Sequence, residues 1–173
     1  MGKVILVDKN DSEIGSEEKM KAHREGKLHR AFSVFVFNSK NELLLQKRAK
    51  AKYHTGGLWS NTCCSHPRSG EATEKSAHRR LKEEMGFDCE LKEIFSFVYS
   101  VKFDNGLSEH EYDHVFVGRF DGNPVPNDEE ADDFRWTALE KLKEDVRKNP
   151  EYYTYWLRVS LDKIISYTKK YSR

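Results

Sequence analysis

Residues 65–87 read Ser65-His66-Pro67-Arg68-Ser69-Gly70-Glu71-Ala72-Thr73-Glu74-Lys75-Ser76-Ala77-His78-Arg79-Arg80-Leu81-Lys82-Glu83-Glu84-Met85-Gly86-Phe87. A loop rich in small and turn-forming residues leads into a helix predicted over Thr73 to Met85. Gly86 suits the left-handed cap that ends it. Arg80 and Glu84 are four apart and share a helix face. Taken alone, such a charge run is most often a solvated, salt-bridged surface helix.

On the N-terminal side, Lys50 to Cys64 looks like loop and ends in Trp59-Ser60-Asn61-Thr62-Cys63-Cys64-Ser65-His66-Pro67, where a thiol stands two residues from an imidazole. Further upstream, Val4 to Asp8 reads as a strand and Ser16 to His23 as a short helix capped by Ser16. Ala31 to Phe37 and Leu43 to Arg48 read as a hairpin about Asn38-Ser39-Lys40-Asn41. Downstream, Ile94 to Phe103 and Glu111 to Phe120 flank a turn at Asp104-Asn105-Gly106. Glu109 and Glu111 alternate, so on a strand they point the same way. Phe134 to Trp136 reads as a short strand and Leu139 to Lys148 as a helix. Pro150 opens a last helix, about 150–170, with Trp156, Leu157, Leu161, Ile164 and Ile165 on one face. Strands and helices mix without βαβ regularity, which predicts an α+β fold with a mixed sheet sandwiched between helices.

The chain has 173 residues, which suits one domain over 1–173. Lys and Arg number 30 against 29 Asp and Glu, a balance that argues against nucleic acid and anionic membrane as partners. Three cysteines, two of them adjacent, make no disulfide framework. No apolar run has signal-peptide or membrane-spanning character, and the cytoplasm is the expected location.

From Ser65 the pattern is five residues to Glu71, seven to Arg79, then Arg80-Leu81-Lys82-Glu83-Glu84-Met85-Gly86-Phe87. This resembles the Nudix box, in which a loop and a carboxylate-bearing helix hold Mg²⁺ against a diphosphate. Two positions depart from it. Ser65 replaces the first Gly, and Arg80 replaces the Glu four before Glu84, which exchanges a metal ligand for a guanidinium. With Asn61-Thr62-Cys63-Cys64-Ser65-His66-Pro67, the degenerate box resembles type 1 isopentenyl diphosphate isomerase, a Nudix-like family that moves one double bond between isopentenyl and dimethylallyl diphosphate.

The resemblance runs from about Lys19 to Trp156. It implies a Nudix-like core over about 27–161, with a strand and short helix in 1–26 adding ligands. It implies Cys64, Glu111 and Tyr99 as catalytic residues. It implies one divalent ion, Mn²⁺, Mg²⁺ or Zn²⁺, held by His23, His29, His66, Glu109 and Glu111. A further Mg²⁺ would sit with the diphosphate at Glu84. Lys19, Arg48, Lys52, Ser65 and Arg80 would meet the diphosphate. Trp156 either faces the carbocation or simply packs in the core. The implied partner is a small isoprenyl diphosphate, and the protein is a monomer or homodimer. On residue type alone, Cys63, Cys89, His54, His78, His110 and His114 read as structural or surface groups, and Cys64 as a thiol that a metal and cations favour as thiolate.

Two other functions compete. A Nudix-type diphosphate hydrolase would want Glu at position 80 and has no need of Cys64. A non-catalytic metal module would leave Cys64, Arg48 and Lys52 without roles.

Overall fold

β3 (His29–Phe37) is the strand on which the molecule is organised. The computed structural model describes residues 2–171. β3 is buried along nearly its whole length, and its side chains alternate between two cores. Phe32, Val34 and Val36 face one; Phe35 and Phe37 face the other. A strand covered on both faces reads as a continuous apolar run, as Ala-Phe-Ser-Val-Phe-Val-Phe does.

Around it, in chain order, lie β1 (Lys3–Val7), β2 (Glu13–Glu18), α1 (Lys19–Glu25), β4 (Glu42–Arg48), β5 (Trp59–Ser60), β6 (Cys63–Ser65), α2 (Thr73–Met85), β7 (Leu91–Lys102), β8 (Ser108–Arg119), β9 (Ala131–Ala138), α3 (Leu139–Lys148) and α4 (Tyr155–Tyr171). β3 runs parallel to β8 from His29↔Glu111 to Phe37↔Arg119 and antiparallel to β6 at Phe32–Val34. β7 forms a long antiparallel ladder with β8, and β4 pairs with β9. The mixed sheet with helices on both faces is the α+β arrangement expected. α2 lays Ala77, Leu81 and Met85 on the first core, and α3 and α4 cover the second with Leu142, Leu157, Leu161 and Ile164. Burying a side chain of this size contributes about 1.5–3 kcal/mol. α2 ends at Gly86 as expected, at φ 76. A Cβ there would stand 2.5 Å from the Val125 carbonyl oxygen, so close approach and backbone angle both require glycine.

Four local expectations change. Ser16 lies in β2, opposite Ile5, and does not cap a helix. Pairing with β1 keeps Glu13–Glu18 extended, and α1 begins after it. Its cap is Glu18, whose carboxylate accepts from the Met20 and Lys21 amides at 2.9 and 2.8 Å. β3 and β4 are not a full hairpin: they pair at Phe37↔Leu43 and then diverge to β8 and β9. The Lys50–Cys64 segment contains β5 and the start of β6. Pro150 opens only a 3₁₀ turn, Pro150–Tyr152. The Thr154 amide then donates to the Trp59 carbonyl at 2.9 Å, and that tether delays α4 to Tyr155. Among the described residues no helix is long and apolar enough to cross a membrane.

Candidate active site

The start of β3, the middle of β8 and the end of β7 line up His29, Glu111 and Tyr99 across three adjacent strands. Residues directly opposite one another share a sheet face, so all three side chains converge. Tyr99 Oη donates to Glu111 Oε2 at 2.5 Å. Two residues before Glu111, Glu109 points the same way. α1 sets His23 against it, with Nε2 2.9 Å from Glu109 Oε2. His66, just past β6, places Nε2 2.9 Å from Glu111 Oε1 and 3.2 Å from His29 Nε2.

The donor set fits a divalent cation. One ligand atom from each of His23, His29, His66, Glu109 and Glu111 lies within 4.8 Å of all the others. His23 Nδ1 donates to the Lys19 carbonyl at 2.6 Å and His29 Nδ1 to the Lys27 carbonyl at 2.8 Å. A neutral ring so held turns its Nε2 lone pair inward, as metal-ligating histidines do; burial lowers His29, but Glu111 and Glu109 outweigh it and raise that ring, favouring its charged form while no cation is present. His23 Nε2 and Glu109 Oε2 are buried and make no aligned hydrogen bond. Burial pushes His66 down to about 4, the neutral form that ligates. Burial alone would raise Glu111, but His29 and His66 hold its carboxyl well below the usual carboxylate range. Two residues on, Asp113 shares this face; burial and the Glu111 charge raise it well above its ordinary value.

Beside the cluster is a pocket lined by Lys19, Arg48, Lys52, Cys64, Ser65, His66, Arg80, Glu84, Tyr99, Glu109, Glu111 and Trp156, with Gln46, Tyr53 and His54. The residues singled out from the sequence thus meet in one region, with His23 and His29 fully buried in the cluster beside the pocket. β6 separates the two adjacent thiols by its alternation. Cys64 opens on the pocket, while Cys63 belongs to the core under α2.

Burial pushes the Cys64 thiol up to about 12; Arg48 opposes this, and Glu84, Glu111 and Asp113 add to it. Without a metal this favours the thiol; the thiolate expected from the sequence rests on a metal and cations together. Two other groups carry extra bonds. Arg80 donates to Glu83 and Glu84 at 2.7 Å and to Glu130 at 2.8 Å. Lys52 also reaches Glu130. Both Glu84 oxygens are taken, by Arg80 and by Gln46 at 2.9 Å. Trp156 packs and faces charge together: Nε1 donates to Ser60 Oγ at 2.9 Å, and the Arg48 guanidinium lies 5.3 Å from the ring.

His54, expected as a surface or core group, is buried, and its Nε2 lies 2.5 Å from Glu109 Oε1 inside the pocket, a contact the sequence does not signal. Glu130 was not singled out at all. Asp113 had a usable signal, the continued alternation Glu109, Glu111, Asp113.

The NUDIX domain family matches residues 27–157. "Isopentenyl-diphosphate Delta-isomerase 2" of Aromatoleum aromaticum is 60% identical over 163 residues, 94% of this chain and 86% of that protein. A protein of the same name from Photorhabdus laumondii is 56% identical over 155 residues, 90% of this chain and 88% of its own. Among solved structures, DR0079 from Deinococcus radiodurans shares the fold at TM-score 0.79 and 20% identity, covering 93% of this chain and 98% of that one. The MutT protein of Methanosarcina mazei does so at TM-score 0.68 and 17% identity, covering 82% and 96%.

Proposed function

The chain belongs to the NUDIX domain family and, within it, to the isopentenyl-diphosphate Delta-isomerases, and from that premise we propose how its pocket isomerises a small alkenyl diphosphate. The observation that carries the proposal is the meeting of Cys64, the Tyr99–Glu111 pair and four cationic side chains in one pocket. An alkene offers no heteroatom to polarise, so a proton must be added at one carbon and another removed next to the cation that forms.

Lys19, Arg48, Lys52 and Arg80 hold the diphosphate, with Ser65 donating, and remote binding energy positions the alkene. The Tyr99–Glu111 pair delivers the proton to the terminal carbon, the Tyr99 hydroxyl holding it against the Glu111 carboxylate. The tertiary cation lies in a pocket walled in part by the Trp156 ring. Cys64 takes the allylic proton, and the new double bond forms from that C–H pair. Neutralising Glu111 and Glu84 removes charges that keep Cys64 protonated and leaves the Arg48 attraction to favour its thiolate. His23, His29, His66, Glu109 and Glu111 would hold one Mn²⁺, Mg²⁺ or Zn²⁺. That ion supplies positive charge, which neutralises the paired carboxylates and raises the acidity of the groups beside it. Glu84 would meet a Mg²⁺ arriving with the diphosphate by releasing Arg80 or Gln46.

The hydrolase alternative lacks a carboxylate at position 80. The test is turnover of isopentenyl diphosphate in heavy water. Deuterium should enter the product with no release of phosphate or pyrophosphate. Release of phosphate from nucleotides, with no deuterium in an isoprenyl diphosphate, would establish the hydrolase instead.

A further inference from the structure

We propose that His54 is a positioning residue for the metal cluster, fixing Glu109 so that one carboxylate oxygen is left to the ion. The inference rests on the reading of the five-residue cluster as a cation site. Glu109 is divided between two rings. Oε2 stands 2.9 Å from His23 Nε2 and 3.8 Å from His29 Nε2, so it belongs to the cluster. The other oxygen, Oε1, is 2.5 Å from His54 Nε2, a buried atom that makes no aligned hydrogen bond to any other group. His54 is itself outside the group whose ligand atoms lie within 4.8 Å of one another. It therefore acts on the ligand and is not one.

The ring is built to hold this place. Its side chain is 3% exposed. It stacks on Phe103 at 4.9 Å and 21°, and Tyr53 meets it edge-on at 4.3 Å. Its Nδ1 is 3.0 Å from the Thr55 hydroxyl. A neutral imidazole has one N–H, and two bare lone pairs cannot face each other at this distance. The Thr55 hydroxyl also lies 2.8 Å from the His54 carbonyl and has one proton to give; turned to Nδ1 instead, it leaves the ring's proton on Nε2, the tautomer Glu109 Oε1 needs. The His54 carbonyl also accepts from Arg48 Nη2 at 3.4 Å, and Lys52 is two residues away. The loop that supplies a proposed diphosphate contact thus also braces the metal ligand. Groups that hold a ligating side chain by its second donor or acceptor commonly matter by 10–100-fold in metal affinity.

Two substitutions separate the donor from the packing. His54→Phe keeps the aromatic contacts and removes Nε2–H; His54→Gln keeps an amide donor near the same point. Mn²⁺ binding to the purified full chain is followed by the paramagnetic resonance signal of the free ion, with melting curves to confirm folding. His54→Phe should bind Mn²⁺ about 10–100-fold more weakly, and His54→Gln should recover most of the loss. Unchanged affinity in His54→Phe would overturn the proposal. So would equal losses in both variants, which would mean that the ring's packing and not its donor matters. Glu109→Gln separates this from the reading beneath it. If Glu109→Gln binds Mn²⁺ as the parent does, or the parent binds none, the cluster is not the cation site and the proposal falls with it.

Discussion

Arg80→Ala tests whether the guanidinium at the box position both ties the pocket together and grips anions. In the folded chain Arg80 reaches Glu83, Glu84 and Glu130 within 2.7–2.8 Å. Removing one partner of a buried ion pair costs about 3–5 kcal/mol when the other is stranded. Here nothing is fully stranded. Glu84 keeps Gln46, Glu130 keeps Lys52, and Glu83 keeps Arg79. The Arg80 side chain is also 19% exposed. The cost therefore falls to about 2 kcal/mol, the scale of charged hydrogen bonds lost from partly satisfied groups. For a chain of this length that lowers Tm by about 4–8 °C. The same truncation removes a forked donor from the anion site, so pyrophosphate affinity and KM should each weaken by about 10–100-fold, the equivalent of about 1.5–3 kcal/mol, while kcat changes less. Thermal melts, pyrophosphate titration and steady-state kinetics on one preparation give all three quantities. Parent-like Tm together with parent-like KM would refute both roles. A fall in kcat alone would place Arg80 in the chemistry and not in binding.

Cys64→Ala should lose essentially all isomerase turnover while melting like the parent; Cys63→Ala should keep most turnover and lose about 1 kcal/mol of stability from the small core cavity. Comparable activity in the two variants would sink the assignment. Alkylation gives the pH dependence of the Cys64 sulfur in the metal-free protein. Its pKa is raised, so the unreactive thiol persists until pH approaches about 12. In a Cys63→Ala, Cys89→Ser background the rate with iodoacetamide should climb about tenfold per pH unit from 8 to 10. A plateau already reached at pH 8 would show a thiolate and contradict this ordering of charges.

What was legible in the sequence is what local physics decides. α2 is bounded by a Gly whose positive φ is a local requirement, and Glu109 and Glu111 follow from the period of a strand. The gathering of His23, His29 and His66 was anticipated by resemblance to a family, since spacing alone does not bring α1, β3 and β6 together. β2 was misread because Glu13–Glu18 has little strand propensity of its own; pairing with β1 overrides it. His54 was passed over because the segment around it, 49–58, carries no periodicity to say which way a side chain points. Its place follows from the Arg48 contact to its carbonyl and the Phe103 stack, both of which depend on the finished fold.

The parallel ladder between β3 and β8 also governs when the metal site can exist. It joins residues as far apart in sequence as His29 and Glu111, with α2 and β7 in between. Closing so long a segment carries its entropic cost before any contact offsets it, and such pairings form slowly. The five residues come from α1, the start of β3, the position just past β6 and β8, so no single fragment of the folding chain presents the full set. An ion held by these five residues would not nucleate this architecture. It would act after the folding barrier is crossed, on the side that controls escape from the native state, and would lengthen the lifetime of the folded protein while leaving the folding rate to the bare polypeptide.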